Sequence, residues 1–452
     1  MHPWVGAGPK DRRRLLEELG RGEISDLFAT LPEEIRIDGL DLQPAEDEES
    51  LRRSFSGLAG ENTTLVEGPS FLGAGVYDHI RPALVDSVLS RAEFFTSYTP
   101  YQPEISQGTL QALFEYQTMM CRLTGMEVSN ASLYDGATAL VEAALFAHRV
   151  KRGKKGRFVV AETVHPVYRK VLETYAEAVG IEIVTVAAGD DGRVGLEALR
   201  EAAGAETCGI ALQSPNFLGI VEDLEGVASL CAEVGALSIH VVTEALSMAI
   251  FKAGGFCGFD VVCGEAQSFG IAPGFGGPHL GFFCCSEKNV RQMPGRLCGQ
   301  TLDSEGNRAF CLTLSTREQH IRRAKATSNI CSNQGLMVLA ATAWLEAVGG
   351  EGLRLLARRN YQAAHELARR LEAECPSWTL IFPKAPFFNE FLIHGPIPGT
   401  EAVDLLAAQG VLGGVSASRW GGSWKDDLLV AVTEKNTESD LDALLGALGR
   451  LG

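Results

Sequence analysis

The sequence predicts an α/β protein with a mostly parallel sheet in a large domain, an N-terminal helical arm before it and a smaller α+β domain after it. Three observations carry that expectation. Short apolar runs recur along the middle of the chain: RFVVAE, IEIVTVA, CGIALQ, LSIHVV, FDVVCGE and LGFFCC. Helical patterns separate several of them, VYRKVLETYAEAVG, VGLEALREAAG and LEGVASLCAEVG. Strands that are apolar on both sides and alternate with helices belong to a parallel sheet covered on both faces. Third, the rhythm changes after about residue 336.

Taken in order, residues 1–65 form the arm, 66–335 the large domain and 336–452 the small one. In the arm, DRRRLLEELG and EISDLFATLP read as short amphipathic helices with a Gly and a Pro stop. So small a segment does not bury a core of its own and is expected to dock as an arm. Two helical blocks, TLQALFEYQTMMCRLTG and TALVEAALFAHRVKRG, precede the strands. In the last region, helices QGLMVLAATAWLEAVGG and GLRLLARRNYQAAHELARRLEAE lead to strands WTLIFP, FFNEFLIHG and DLLVAVT. Helices EAVDLLAAQG and SDLDALLGALG flank the last of these.

The composition excludes several functions. Of 452 residues, 46% are hydrophobic and 21% charged, an ordinary globular balance. The net charge of −17 comes without any basic stripe, which argues against nucleic acid, since phosphate binding needs clustered Lys and Arg. Eleven cysteines form no CxxC pair and no zinc pattern, and several sit in apolar strands, as expected for free thiols in a reducing cytosol. The basic N-terminus lacks a following apolar run, so no signal peptide is expected, and no stretch reads as a membrane span. These features predict a cytoplasmic protein. No HExxH or EF-hand pattern predicts a metal, and no GxSxG predicts a serine nucleophile.

Four motifs stand out, each with a plain reading beside the functional one. In FFTSYTPYQPEISQ, two tyrosines and two prolines make a rigid loop before a helix, carrying Tyr98, Tyr101, Gln102 and Glu104. Such a loop either holds ligand contacts or is structural. In SLYDGATALVEA, Asp135 and Gly136 open a helix whose first N–H groups either receive an anion or are capped by Asp135. The glycine-rich GFGGPHLG is followed by a strand, so it is not a dinucleotide fingerprint. Arg317, His320, Arg322, Arg323 and Lys325, ahead of Thr327, Ser328 and Asn329, make an anion site or a solvated cationic face.

Together these stretches resemble the glycine-cleavage P-protein family. The matching text includes FLGAGVYDHIRP, FFTSYTPYQPEISQGTLQALFEYQT, SLYDGATALVEA, GEAQSFGIAPGFGGPHLGFF, PGRLCGQTLDSEGNRAF and TREQHIRRAKATSNICSNQ, and it spans nearly the whole chain. The resemblance implies a fold-type I, aspartate-aminotransferase-like pyridoxal-phosphate (PLP) transferase architecture. In many bacteria this family is split into two homologous subunits, one of which carries the cofactor.

By that resemblance, the Schiff-base lysine of the cofactor-bearing subunit corresponds here to Gln267, and its pyridinium-holding Asp falls near Val241, with Glu244 the nearest acid. An amide forms no imine, so this chain is implied to bind no cofactor covalently. PLP would sit on a homologous partner subunit 2. The loop with Tyr98, Tyr101, Gln102 and Glu104 would lie at the cleft, and Thr327 and Ser328 would reach the partner's cofactor phosphate. The assembled enzyme would decarboxylate glycine and pass the aminomethyl group to the lipoyl arm of H-protein. Two other readings stand beside this one: an independent PLP enzyme using Lys252 or Lys288, and a noncatalytic scaffold or regulatory subunit.

Overall fold

The computed structural model describes residues 8–37, 39–420 and 424–452; the first seven residues, at which no signal peptide is expected, lie outside it. The described chain divides into two compact units, residues 1–64 and 65–452.

The first unit holds helix α1 (Pro9–Glu18), helix α2 (Glu48–Ala59) and two short 3₁₀ segments. Proline at the first position of α1 loses nothing, because that N–H has no intrahelical partner. Asp47 caps α2 by accepting the Ser50 N–H at 2.9 Å, and Arg52 pairs with Glu48 one turn back at 2.8 Å. EISDLFATLP was expected as a helix; only Ile24–Phe28 is helical, in 3₁₀ form. Leu51, Phe55 and Leu58, spaced along one side of α2, are all exposed.

The second unit is built on a seven-stranded sheet in the order β1-β7-β6-β5-β4-β2-β3. Its strands are β1 (Val128–Ser129), β2 (Arg157–Ala161), β3 (Glu182–Val186), β4 (Thr207–Gln213), β5 (Leu237–Val242), β6 (Val261–Glu265) and β7 (Gly281–Cys285). The five strands β3, β2, β4, β5 and β6 run parallel, while β7 and β1 add an antiparallel edge.

Alternate residues show why the strands read as continuous apolar runs. Val261, Cys263, Phe283 and Cys285 enter one core, whereas Val262, Phe282 and Cys284 enter the core on the opposite face. The helices that cover the sheet follow α3 (Ala83–Leu89) and α4 (Ala92–Phe95). They are α5 (Gln107–Thr124), α6 (Gly136–Val150), α7 (Pro166–Val179), α8 (Leu196–Ala202) and α9 (Leu224–Val234). Helix α6 lies in the first core and α5 in the second.

After the sheet, a hairpin of β8 (Leu297–Leu302) and β9 (Arg308–Thr313) packs on α5, followed by the short α10 (Gln319–Arg322). Helix α11 (Gly335–Glu374) breaks at Gly349, whose φ of 65° lies outside the helical region, so the two helical patterns of the sequence meet there. By length and composition α11 could cross a membrane, where the sequence reading expected no such stretch. Its apolar side chains Val338, Ala340, Ala341 and Trp344 are fully buried in the second core, as in a core helix.

The remainder is a four-stranded antiparallel sheet in the order β10 (Thr379–Leu380), β11 (Glu390–His394), β13 (Leu428–Ala431), β12 (Val415–Ser416). With α12 (Gly399–Ala407) and α13 (Glu438–Gly449) it encloses a third core around Trp378, Phe391 and Leu445.

Candidate functional site

In an open α/β sheet, ligands bind beyond the carboxyl ends of the parallel strands. Here that edge is formed by the ends of β2, β4, β5 and β6, and the segment 71–80 is stapled to it by buried polar side chains.

Gln267, two residues past the end of β6, is 2% exposed. Its Oε1 accepts the Tyr77 N–H at 3.0 Å, and its Nε2 donates to the carbonyls of Tyr77 at 3.0 Å and Ile271 at 2.5 Å. The amide is therefore saturated by main chain, as buried polar groups require. Val241 is completely buried in apolar core and offers no charge. Glu244 is committed elsewhere: it accepts the Leu246 N–H at 2.9 Å and faces His79 Nε2 at 2.9 Å.

His79 lies between two carboxylates, Glu244 on one ring nitrogen and Glu434 on the other, both at 2.9 Å. Burial opposes its charge, but the two carboxylates outweigh it and lift the imidazole pKa from its usual 6.5 to about 10. Burial likewise works against the Glu434 charge, yet His79, the Ile80 N–H and Asn360 hold that carboxyl down at about 2. Nearby, Glu390 accepts the Ala74 N–H at 2.6 Å and the Tyr77 hydroxyl at 3.0 Å, and burial pushes it up to about 7.

The N-terminus of α6 opens beside Gln267. Asp135 accepts the Thr138 N–H at 2.7 Å and Thr138 Oγ1 accepts the Asp135 N–H at 3.2 Å, a reciprocal cap. Of the two readings left by the sequence, the capped helix is the one present. Glu265, at the end of β6, accepts the Gly136 N–H at 3.0 Å. Among the described residues, nothing at this edge fits a covalently held PLP: there is no amine at 267, no acid at 241, and carboxylates already meet the helix N-terminus.

The tyrosine loop lies elsewhere on the surface. Tyr98, Tyr101 and Glu104 are exposed, as is Gln102, and Tyr98 reaches 82%. The loop is held by Arg296, which the sequence reading missed. Only 3% exposed, Arg296 donates to the Tyr101 hydroxyl at 2.7 Å, Thr99 Oγ1 at 3.0 Å, Ser332 Oγ at 3.1 Å and the Cys331 carbonyl at 2.6 Å. Its guanidinium also lies 5.0 Å over the Tyr101 ring. The signal was faint: one arginine in PGRLCG, away from the cationic cluster that drew notice. Phe94, Tyr98, Thr99, Asn333 and Leu336 line a cavity of about 200 Å³ against the start of α11.

The cationic cluster divides. Arg317 is buried and donates to the carbonyls of Met293, Gly295 and Leu314, so it serves the fold. His320, Arg322, Arg323 and Lys325 are exposed. The Ser328 hydroxyl donates to buried Glu142 at 2.7 Å and accepts the Ile330 N–H at 3.0 Å, whereas the main-chain N–H of Thr327 is engaged with the Arg317 carbonyl. Lys252 and Lys288 are exposed and pair with Glu225 and Asp260. Asp260 precedes β6, at the edge of the sheet opposite Gln267.

A family model described as the glycine cleavage system P-protein matches residues 2–448. The chain is 46% identical over 451 residues to the probable glycine dehydrogenase (decarboxylating) subunit 1 of Chlorobaculum tepidum, covering 100% of both. It is 45% identical over 452 residues to the protein so described in Bacillus cytotoxicus, again over 100% of both. Among solved structures, it matches the glycine decarboxylase (P-protein) of the glycine cleavage system in inhibitor-bound form. That match has 41% identity and a TM-score of 0.92, covering 99% of this chain and 100% of the other. A sphingosine-1-phosphate lyase of Burkholderia pseudomallei, 16% identical with a TM-score of 0.68 over 92% of this chain, shares the fold.

Proposed function

Because the chain belongs to the glycine cleavage system P-protein family, we propose that it is subunit 1 of a two-subunit glycine decarboxylase and works beside a homologous partner that holds PLP. The assembled enzyme releases carbon dioxide from glycine and passes the aminomethyl group to the lipoyl arm of H-protein, in the cytoplasm. The observation that carries this reading is the state of Gln267: the position is an amide, and its donors and acceptor are consumed by Tyr77 and Ile271. The scaffold reading has no observation of its own. The independent-enzyme reading loses support from Lys252 and Lys288, which lie in surface ion pairs.

This chain's own contribution is to complete the cleft. The exposed loop with Tyr98, Tyr101, Gln102 and Glu104, fixed from beneath by Arg296, is the surface offered to the partner, and it excludes water where it is covered. With the Ser328 hydroxyl engaged by Glu142, Thr327 is the residue left to reach the partner's cofactor phosphate. Co-expression with and without the partner subunit, followed by exchange of labelled bicarbonate into glycine, tests the proposal. Exchange is expected only when both chains are present. Full exchange by the partner alone, or by this chain alone, rejects it.

A further inference from the structure

Resting on that reading, we infer that Glu265 occupies the place a phosphorylated coenzyme would need at the N-terminus of α6, so that exclusion of PLP from this chain is built in twice, by an internal carboxylate as well as by the amide at 267.

The first turn of a helix beyond the carboxyl ends of parallel strands is where a phosphate finds free N–H groups and a favourable dipole. At α6 two of those groups, the N–H groups of Gly136 and Thr138, are already paired with carboxylates. Glu265 Oε2 accepts the Gly136 N–H at 3.0 Å, and Asp135 takes the Thr138 N–H at 2.7 Å. Glu265 is not a transient visitor. Its Oε1 also accepts the N–H groups of Gln267 at 3.0 Å and Leu280 at 2.7 Å, and His279 Nδ1 lies 3.7 Å from Oε2. Main-chain donors from three separate segments thus hold this buried carboxylate in place.

Space is closed as well as charge. A Cβ placed on Gly136 would collide with the Tyr168 hydroxyl, so the Tyr168 ring stands against the first turn of α6. The same ring lies 4.7 Å from that of His165, at a tilt of 30°. A dianionic phosphate entering here would have to displace Tyr168 and face two fixed carboxylates. Restoring a lysine at 267 alone therefore does not restore the coenzyme site.

The test uses the full-length chain with Gln267→Lys, with and without Glu265→Gln, and two probes, PLP and pyridoxal, which lacks the phosphate. The lysine amine condenses with either aldehyde with loss of water, and borohydride then reduces the imine to a stable amine that mass analysis assigns to residue 267. The Glu265→Gln side chain keeps an oxygen for the main-chain N–H groups of residues 267 and 280 and puts an uncharged NH2 group, which accepts no hydrogen bond, where Oε2 met the Gly136 N–H. For Gln267→Lys alone, PLP is expected to bind no more tightly than pyridoxal. Adding Glu265→Gln is expected to tighten PLP at least about tenfold and leave pyridoxal within about twofold.

A tenfold preference of Gln267→Lys for PLP, or an unchanged preference on adding Glu265→Gln, overturns the inference. Should the double variant fail to fold, Glu265→Ala with Gln267 retained is melted with and without inorganic phosphate. Stabilisation by phosphate in that variant and not in the unsubstituted chain supports the inference, and its absence counts against it. These readouts do not involve the partner, so they fail or succeed independently of the exchange assay.

Discussion

Gln267 and Tyr77, 190 positions apart, pair as two strands of a sheet would: the Tyr77 N–H donates to the side-chain oxygen and the side-chain nitrogen donates back to the Tyr77 carbonyl, both at 3.0 Å. A lysine, which has no acceptor, cannot make that exchange. Gln267 thus fastens the segment 71–80 to the large sheet.

We predict that Gln267→Leu leaves the Tyr77 and Ile271 main-chain groups buried without partners and costs about 3 kcal/mol. Denaturant unfolding measures it. A loss below about 0.5 kcal/mol would show that water or a shift of the segment replaces the amide.

The imidazole of His79 sets a pH dependence. Its pKa is raised from 6.5 to about 10, so its contribution is complete below pH 6.5 and is lost as pH climbs through about 10. The chain is expected to lose stability steadily across that window, while His79→Gln, weaker at neutral pH, shows a flatter profile there. Parallel profiles for the two proteins would refute this.

Glu390 has the opposite origin but the same sign. Burial raises its carboxyl from 4.5 to about 7, so folding favours the protonated form and stability falls as pH rises from 4.5 through 7. Glu390→Gln is expected to remove that decline. Unfolding measured from about pH 4.5 to about pH 7.5 decides it, and a decline that survives the substitution assigns the effect to other groups.

Arg296 is predicted to govern the tyrosine loop. Arg296→Ala removes five hydrogen bonds, to Thr99, Ser332, Tyr101, Cys331 and Glu318. It should open residues 95–101 to proteolysis and lower exchange by the assembled enzyme at least about tenfold, with less effect from Tyr101→Phe, which keeps the ring under the guanidinium. An assembled Arg296→Ala enzyme with full exchange and an uncleaved loop contradicts this.

Neighbouring hydroxyls should separate. Thr327→Ala is expected to weaken PLP retention by the assembled enzyme about tenfold, the cost of roughly 1.4 kcal/mol. Ser328→Ala is expected to cost about 1 kcal/mol of this chain's stability by depriving Glu142 of a donor, with PLP retention unchanged. Equilibrium dialysis of the cofactor distinguishes the two, and identical losses from both variants would defeat the distinction.

Local pattern by itself determined the parallel strands, their covering helices and the family, because a strand buried on both faces is written as an unbroken apolar run and the family motifs are long. It also determined that position 267 carries no amine. Local pattern is weak elsewhere: β8 runs from a buried end to an exposed one without alternation, so the β8–β9 hairpin has no strand signature, and EISDLFATLP is helical only over Ile24–Phe28, in 3₁₀ form. What only the tertiary structure decided is how the polar side chains are spent. Gly136 meets Glu265 across 129 positions, Tyr77 meets Glu390 across 313, and His79 meets Glu434 across 355. No periodicity encodes such pairs. They arise when the folded backbone carries unlike groups out of water together, where each must find a partner.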